Sequence, residues 1–209
     1  MLILLADDHA VVRRGLHDIL ASAFPRARFI EVGTGDKALS AIRDSHCDLL
    51  VLDVNMPGRT GVDVLREVKH LCPRTPVLML SVQPEDQYAV RCLKAGASGY
   101  LNKDSAEEEL VQAVRKVLSG GRYVSVRLSE KLASDLQQPP MKDPHELLSD
   151  RELEVTRMIA SGATLTDIAE ALHVSVKTVS TYRSRTLLKM QMQNNADLVR
   201  YALEHKLIA

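Results

Sequence analysis

Four consecutive apolar residues, Leu49 to Leu52, run directly into an aspartate, Asp53. A strand that is apolar at every position is covered on both faces, as in a parallel sheet with helices on each side. In such sheets, ligands bind at the carboxyl ends of the strands. This stretch therefore predicts a buried parallel strand with an acidic side chain at the edge where chemistry occurs.

Strand-like and helix-like segments alternate over the first 121 residues. Five short apolar runs are each followed by a segment with helical periodicity; they lie at 2–6, 28–32, 49–53, 76–81 and 99–101. This alternation predicts a flavodoxin-like, doubly wound α/β domain with a five-stranded parallel sheet. After a proline-rich stretch at 137–145 the pattern predicts only helices, four in number. We therefore expect domains at 1–121 and 147–209, joined by a helix and linker at 122–146.

Composition narrows the class of protein further. Acidic and basic residues balance at 27 each, so the chain as a whole has no electrostatic bias toward nucleic acid or membrane. No apolar run approaches the ~20 residues that span a bilayer. The three cysteines have no metal-ligand spacing. We expect a cytoplasmic protein with reduced thiols and no membrane partner.

Polar side chains follow several of the predicted strands. Asp7 and Asp8 follow the first, Asp53 ends the third, Ser81 ends the fourth and Lys103 follows the fifth. Close carboxylates repel one another unless a cation joins them, and Mg²⁺ prefers oxygen ligands. A metal, a hydroxyl and a lysine at one edge are suited to stabilising a phosphoryl group on a carboxylate. Each residue alone also fits an ordinary role, as a helix cap, a loop hydroxyl or a solvated lysine.

The chain resembles the receiver domain of two-component response regulators in three motifs and one further residue. These are DDH (residues 7–9), LLVLDVNMPG (residues 49–58), Ser81 and KAGASGYLNK (residues 94–103). The resemblance covers residues 2–118. It implies that Asp53 accepts a phosphoryl group from a sensor histidine kinase. It also implies that Ser81 and Lys103 contact the phosphoryl oxygens, and that Mg²⁺ is held by Asp7, Asp8, Asp53 and the main-chain carbonyl of Asn55.

Tyr100 has two interpretations. The resemblance implies an aromatic switch that turns inward when Ser81 is drawn to the phosphoryl group. Without the resemblance, Tyr100 is a strand aromatic half buried in the core.

A basic run lies in the C-terminal region. Residues 171–209 contain six basic and two acidic residues, and the stretch from Lys177 to Lys189 contains four bases and no acid. Apolar residues at Ile168, Leu172 and Val179 have the spacing of a short helix packed against a second helix across a tight turn. This arrangement is typical of a helix-turn-helix, whose second helix enters the major groove. A solvated charged face on a core helix is the alternative.

The segment LSDRELEVTRMIASGATLTDIAEALHVSVKTVSTYRSRTLLKM (residues 148–190) resembles the LuxR-type DNA-binding domain, and the whole architecture resembles the NarL/FixJ family of response regulators. The resemblance implies base-reading positions at Ser180, Thr181 and Ser184, and a dimerisation helix at 195–207. The full set of expected DNA contacts is Lys177, Thr178, Ser180, Thr181, Tyr182, Arg183, Ser184, Arg185 and Lys189.

We therefore expect a phosphorylation-controlled transcription regulator and not an enzyme. Phosphorylation of Asp53 is expected to promote homodimerisation and binding to double-stranded promoter DNA, with RNA polymerase as a further candidate partner. One alternative is the same architecture regulated by a ligand or partner protein without phosphorylation. A phosphatase with Asp53 as nucleophile is disfavoured because Asn55 stands where such enzymes carry a second acid. A receiver that acts only through protein contacts is disfavoured by the basic run.

Overall fold

The structure, a computed structural model, describes residues 1–82, 85–105, 107–126, 128–130 and 143–208. Contacts divide the chain into two compact units, Met1–Gln137 and Gln138–Ala209. Each unit is described by itself.

The first unit is a parallel sheet with helices between its strands. The strands are β1 (Leu2–Ala6), β2 (Arg28–Val32), β3 (Leu49–Asp53), β4 (Val77–Ser81) and β5 (Gly99–Asn102). The helices are α1 (Ala10–Ala23), α2 (Gly35–Asp44), α3 (Gly61–Leu71), α4 (Glu85–Lys94) and α5 (Glu107–Leu118). The strand order is β2-β1-β3-β4-β5, and all pairs are parallel. The predicted doubly wound α/β fold is confirmed.

The central strand β3 is buried at all five positions. Leu50 and Leu52 pack into one hydrophobic cluster with residues of α2, α3 and α4. Leu49 and Val51 pack into a second cluster with residues of α1 and α5. Because successive side chains of a strand point to opposite faces, a sheet covered on both sides requires an apolar residue at every position of its central strand.

The chain after α5 packs along β5. We call residues 121–126 and 128–130 the edge segment. Tyr123 forms a parallel bridge with Gly99; its N–H donates to Ser98 O at 3.0 Å, and its carbonyl accepts from Tyr100 N at 3.1 Å. Leu128 is completely buried in the same cluster as Tyr100. Val126 and residues 128–130 are helical. The rest of the helix predicted to end at Leu136, and the linker as far as residue 142, lie outside the described residues.

Every secondary-structure element in the described residues of the second unit is a helix. A 3₁₀ turn at Pro144–Leu147 precedes α6 (Asp150–Ala160), α7 (Leu165–Ala171), α8 (Val176–Lys189) and α9 (Asn195–Glu204). Each α-helix begins behind a side chain that accepts a main-chain N–H; these caps are Ser149, Thr164, Ser175 and Asn194. The first two caps form complete capping boxes with residues three positions on, which explains why these helices begin where they do.

Helices α7 and α8 form a hairpin across a short turn. His173 in this turn has a left-handed φ of 53°. Val179 of α8 is completely buried in a cluster with Ile168 and Ala169 of α7. One face of α8 therefore packs against the domain, while residues on its other face are exposed. This is the predicted helix-turn-helix arrangement.

Candidate functional site

The carboxyl ends of β1 and β3 bring acidic side chains together. Asp7 follows β1 and Asp53 ends β3; they are 1% and 2% exposed, whereas the side chain of Asp8 is 28% exposed. One carboxylate oxygen of each of these three residues and one ring nitrogen of His9 all lie within 4.8 Å of one another. The acidic edge expected from the strand order is thus a single cluster.

His9 is the member of the cluster that was not assigned a role from the sequence. Its main-chain N–H donates to Asp7 Oδ1 at 2.8 Å, and its ring Nδ1 lies 2.8 Å from Asp8 Oδ1. Its position directly after the two aspartates was the available signal. The contacts orient both carboxylates at the start of α1.

Lys103 lies between two of the carboxylates. Its Nζ is 2.7 Å from Asp7 Oδ2 and 2.8 Å from Asp53 Oδ2. Its main-chain N–H donates to Ser81 O at 2.9 Å, which holds the loop after β5 to the end of β4. Burial works against the ammonium, but the Asp53 and Asp7 carboxylates raise the pKa of Lys103 above its usual value. The side chain is therefore a fixed positive charge beside Asp53.

The ionisation of Asp53 reflects its surroundings. Burial raises the pKa of Asp53 to about 6, with Lys103 opposing the shift and Asp7 adding to it. Its Oδ1 accepts a hydrogen bond from Asn55 N at 3.2 Å. At neutral pH the carboxylate remains mostly ionised, so it can act as a nucleophile.

The charge balance of the cluster fits a divalent cation. Asp7 Oδ2 and Asp53 Oδ2 are buried oxygens paired with Lys103 Nζ, and Asp8 Oδ1 is a buried oxygen 2.8 Å from His9 Nδ1. Lys103 forms ion pairs with two of them but brings one positive charge to three carboxylates. Oxygen ligands in this number suit a hard ion such as Mg²⁺, whereas a histidine nitrogen suits it less. The three aspartates predicted as ligands therefore fit a magnesium site.

The loop after Asp53 returns very close to the strand. Gly61 N donates to Val54 O at 2.8 Å, and a Cβ at Gly61 would lie 2.0 Å from Asp53 O. Thr60 caps α3 through its hydroxyl, which accepts from Asp63 N at 3.1 Å. The start of α3 can approach the acidic cluster only because residue 61 is glycine.

Ser81 and Tyr100 are both completely buried. In the sheet register Asp53 pairs with Leu80, so Ser81 stands one position beyond it on the neighbouring strand. Tyr100 belongs to the core rather than being half exposed. Its burial fits a core aromatic, and its role as a switch stays a prediction.

One face of α8 is available to a ligand. Lys177, Thr181, Ser184 and Leu188 are exposed and are spaced by four, three and four residues, which places them on one side of the helix. Arg185 flanks this row. Within the described residues, Lys177 and Arg185 form no ion pair. The hydroxyls of Ser180 and Ser184 form no hydrogen bond there either. These four side chains are thus available to a ligand.

Other predicted DNA contacts are engaged within the unit. Lys189 Nζ lies 2.6 Å from Glu152 Oε2, and Arg183 Nε donates to Asn195 Oδ1 at 2.6 Å. Thr178 Oγ1 lies 2.8 Å from Ser175 Oγ at the helix cap. Tyr182 packs half buried against the cluster between α7 and α8. The nine expected contacts are therefore not equivalent.

Two family models match the chain, one in each unit. Residues 3–115 match the family model for the response regulator receiver domain, and residues 146–202 match that for bacterial regulatory proteins of the luxR family. The chain is 36% identical over 216 residues to the oxygen regulatory protein NreC of Staphylococcus epidermidis (strain ATCC 12228), covering 100% of this chain and 99% of that protein. It is 33% identical to the response regulator UvrY of Escherichia coli K12, covering 98% and 94%.

A solved structure is similar along nearly the whole chain. The response regulator ChrA of a heme-sensing two-component system shares 30% identity with a TM-score of 0.51, covering 99% of this chain and 98% of that one. The chain is therefore a two-component response regulator, a transcription regulator in which a receiver domain is joined to a DNA-binding domain. It belongs to the NarL/FixJ family. Among the described residues, no helix is long and apolar enough to cross a membrane.

Proposed function

We propose that a sensor histidine kinase phosphorylates Asp53 and that this phosphorylation controls DNA binding. The observation that carries the proposal is the buried Asp53 carboxylate, paired with Lys103 Nζ at 2.8 Å inside a cluster of three aspartates. This carboxylate is buried, ionised and next to a fixed cation at the end of a strand. Such an arrangement suits attack on a phosphoryl group better than it suits stabilisation of the fold.

The transfer requires few groups from the protein. An Asp53 oxygen bonds to phosphorus as the P–N bond to the kinase imidazole breaks, and the imidazole leaves with a proton from solvent. Asp7, Asp8, Asp53 and the Asn55 carbonyl would hold Mg²⁺, which neutralises phosphoryl oxygens when bound. Lys103 neutralises a further oxygen, and the Ser81 hydroxyl donates to another.

The signal begins with competition for Lys103. Its ammonium is shared between Asp7 and Asp53, and a phosphoryl group on Asp53 offers it additional oxygens. Ser81 is tied to Lys103 through the main chain, and Tyr100 is tied to the edge segment in the same way. Phosphorylation would thus shift an existing equilibrium of the β4–β5 region.

The output is binding of a homodimer to double-stranded promoter DNA. The exposed row on α8 would enter the major groove of each half-site, with half-sites about one helical turn apart. RNA polymerase is a further partner. A kinase domain and promoter DNA as partners imply a cytoplasmic location. We propose no hydrolytic activity, because the Asn55 side chain has no acidic proton for a leaving group.

Phosphotransfer from acetyl phosphate with Mg²⁺ tests the proposal. Wild type is expected to gain one phosphoryl group by intact mass and to associate by light scattering. Asp53→Asn should gain none, whereas Asp18→Asn, a change to an exposed aspartate of α1, should behave as wild type. No incorporation into wild type, with DNA binding intact, would instead support the same architecture regulated without phosphorylation.

A further inference from the structure

The hydroxyl of Thr181 is directed at its own helix. Its Oγ1 donates to the Lys177 carbonyl oxygen at 3.0 Å, although the residue is exposed at the centre of the α8 row. Threonine commonly bonds in this way to the carbonyl four residues earlier. The hydroxyl proton is then committed to the helix, so this hydroxyl can only accept a hydrogen bond from a ligand, and the γ-methyl is the apolar group of the exposed side chain.

The three short residues at the expected base-reading positions therefore differ in chemistry. Ser180 and Ser184 form no side-chain hydrogen bond within the described part of the second unit, so their hydroxyls remain available to base edges. Thr181 offers an apolar surface instead. In the major groove, the apolar feature of a base pair is the 5-methyl group of thymine.

We propose that Thr181 reads a thymine through contact of its γ-methyl with the thymine 5-methyl, and that its hydroxyl plays no part in base reading. The inference rests on the proposed entry of α8 into the major groove, and it names the base and the atom that decide specificity at one position. Thr181 is in this sense a specificity-determining residue.

The test starts from a duplex selected from random sequence by the full chain phosphorylated with acetyl phosphate. Each thymine of the selected site is replaced in turn by deoxyuridine, which lacks only the methyl group. At one thymine per half-site, replacement should weaken binding of wild type by about fourfold, the effect of exposing one methyl group.

Two variants separate the methyl from the hydroxyl. Thr181→Val keeps the shape and removes the hydroxyl, so it should retain both affinity and the preference for thymine over deoxyuridine at that position. Thr181→Ser keeps the hydroxyl and removes the methyl, so it should bind both duplexes equally. Asp18→Asn, a change to an exposed residue of the first unit, should leave the preference at that position unchanged.

Loss of the preference for thymine over deoxyuridine in Thr181→Val, together with its retention in Thr181→Ser, would overturn the inference. It would also be overturned if no thymine of the site were sensitive to replacement by deoxyuridine. Failure of wild type to bind any selected duplex would overturn the proposed DNA binding itself. The two failures are therefore distinguishable.

Discussion

The carboxylate of Glu152 joins the start of α6 to the end of α8. Its Oε2 lies 2.6 Å from Lys189 Nζ and accepts from Ser149 N at 2.8 Å, while the residue is only 2% exposed. A buried carboxylate is stable only when it is paired and hydrogen bonded. Lys189, one of the expected DNA contacts, thus has a structural partner.

Replacement of Lys189 by methionine should lower the stability of the second unit. The change leaves the Glu152 carboxylate buried without its cation, which costs about 1–3 kcal/mol. Urea unfolding followed by the ring resonances of Tyr182 and Tyr201, the tyrosines of this unit, measures the loss. Lys177→Met is the matched control, because Lys177 is exposed and has no acidic partner among the described residues. Equal stability of the two variants would contradict the structural role.

Salt dependence of DNA binding should separate the same two lysines. Each phosphate neutralised contributes a slope of about −0.9 to the dependence of log K on log salt. Lys177→Ala should reduce the slope by about 1 per bound copy. Lys189→Ala should change it much less, once protein concentration is corrected for the folded fraction. A larger slope change for Lys189 than for Lys177 would mean that Lys189 leaves Glu152 for DNA.

The second unit should lose stability in acid through Glu152. Burial favours the protonated carboxyl, but hydrogen bonds from Lys189 and Ser149 lower the pKa of Glu152 below its ordinary 4.5. A group with a lowered pKa stabilises the fold above the unfolded pKa, and this contribution disappears as the pH falls through the folded pKa. Urea unfolding of wild type and Glu152→Gln gives the difference in stability between them. This difference should be constant above pH 5, which is about half a pH unit above the unfolded pKa of glutamate, and should shrink below that pH.

Gly61→Ala should damage the phosphoacceptor site. The added Cβ would meet Asp53 O at 2.0 Å and Val54 Cα at 2.8 Å, so α3 or the end of β3 must move. We expect a loss of about 2–4 kcal/mol, in the range of severe steric changes, and slower phosphorylation by acetyl phosphate. Gly15→Ala is the control: Gly15 is an exposed residue of α1, and a Cβ there would have nothing within 4 Å, so the change should stabilise by about 0.5–1 kcal/mol. Similar effects of the two changes would refute the close approach.

The fold and the acidic edge were predictable because their signals are local. Apolar runs, helical periodicity and caps such as Ser149 each depend on residues within a few positions. The strand order follows from rules of chain connection, and it brings Asp7 and Asp53 together.

Contacts between distant residues were not predictable in the same way. The Lys189–Glu152 pair spans 37 positions and depends on how α6 packs against α8. The end of α9 also differs: the helix stops at Glu204 rather than Leu207, because Lys206 adopts a left-handed φ of 51° and Leu207 N returns to Ala202 O at 2.8 Å. Tyr123 pairs with β5 through one bridge, which leaves no periodicity in the sequence.

The edge segment should contribute measurably to the stability of the first unit, although the predicted receiver domain ends at its first residue. Leu128 is completely buried against the cluster that holds Tyr100, whereas Val126, two residues away, is 77% exposed. Leu128→Ala should therefore lower the unfolding free energy of this unit by about 2–4 kcal/mol, and Val126→Ala should change it by less than about 0.5 kcal/mol. Urea unfolding followed by the ring resonance of Tyr88 measures both.

A chain ended after Gly121 gives the complementary result. It lacks the Leu128 side chain and both main-chain hydrogen bonds that Tyr123 forms with Ser98 and Tyr100. It should therefore be less stable than a chain ended after Gln137 by at least the loss seen in Leu128→Ala. Equal stability of the two shortened chains would mean that β5 does not need this neighbour. A deficit would mean that the edge segment is part of the core of the first unit.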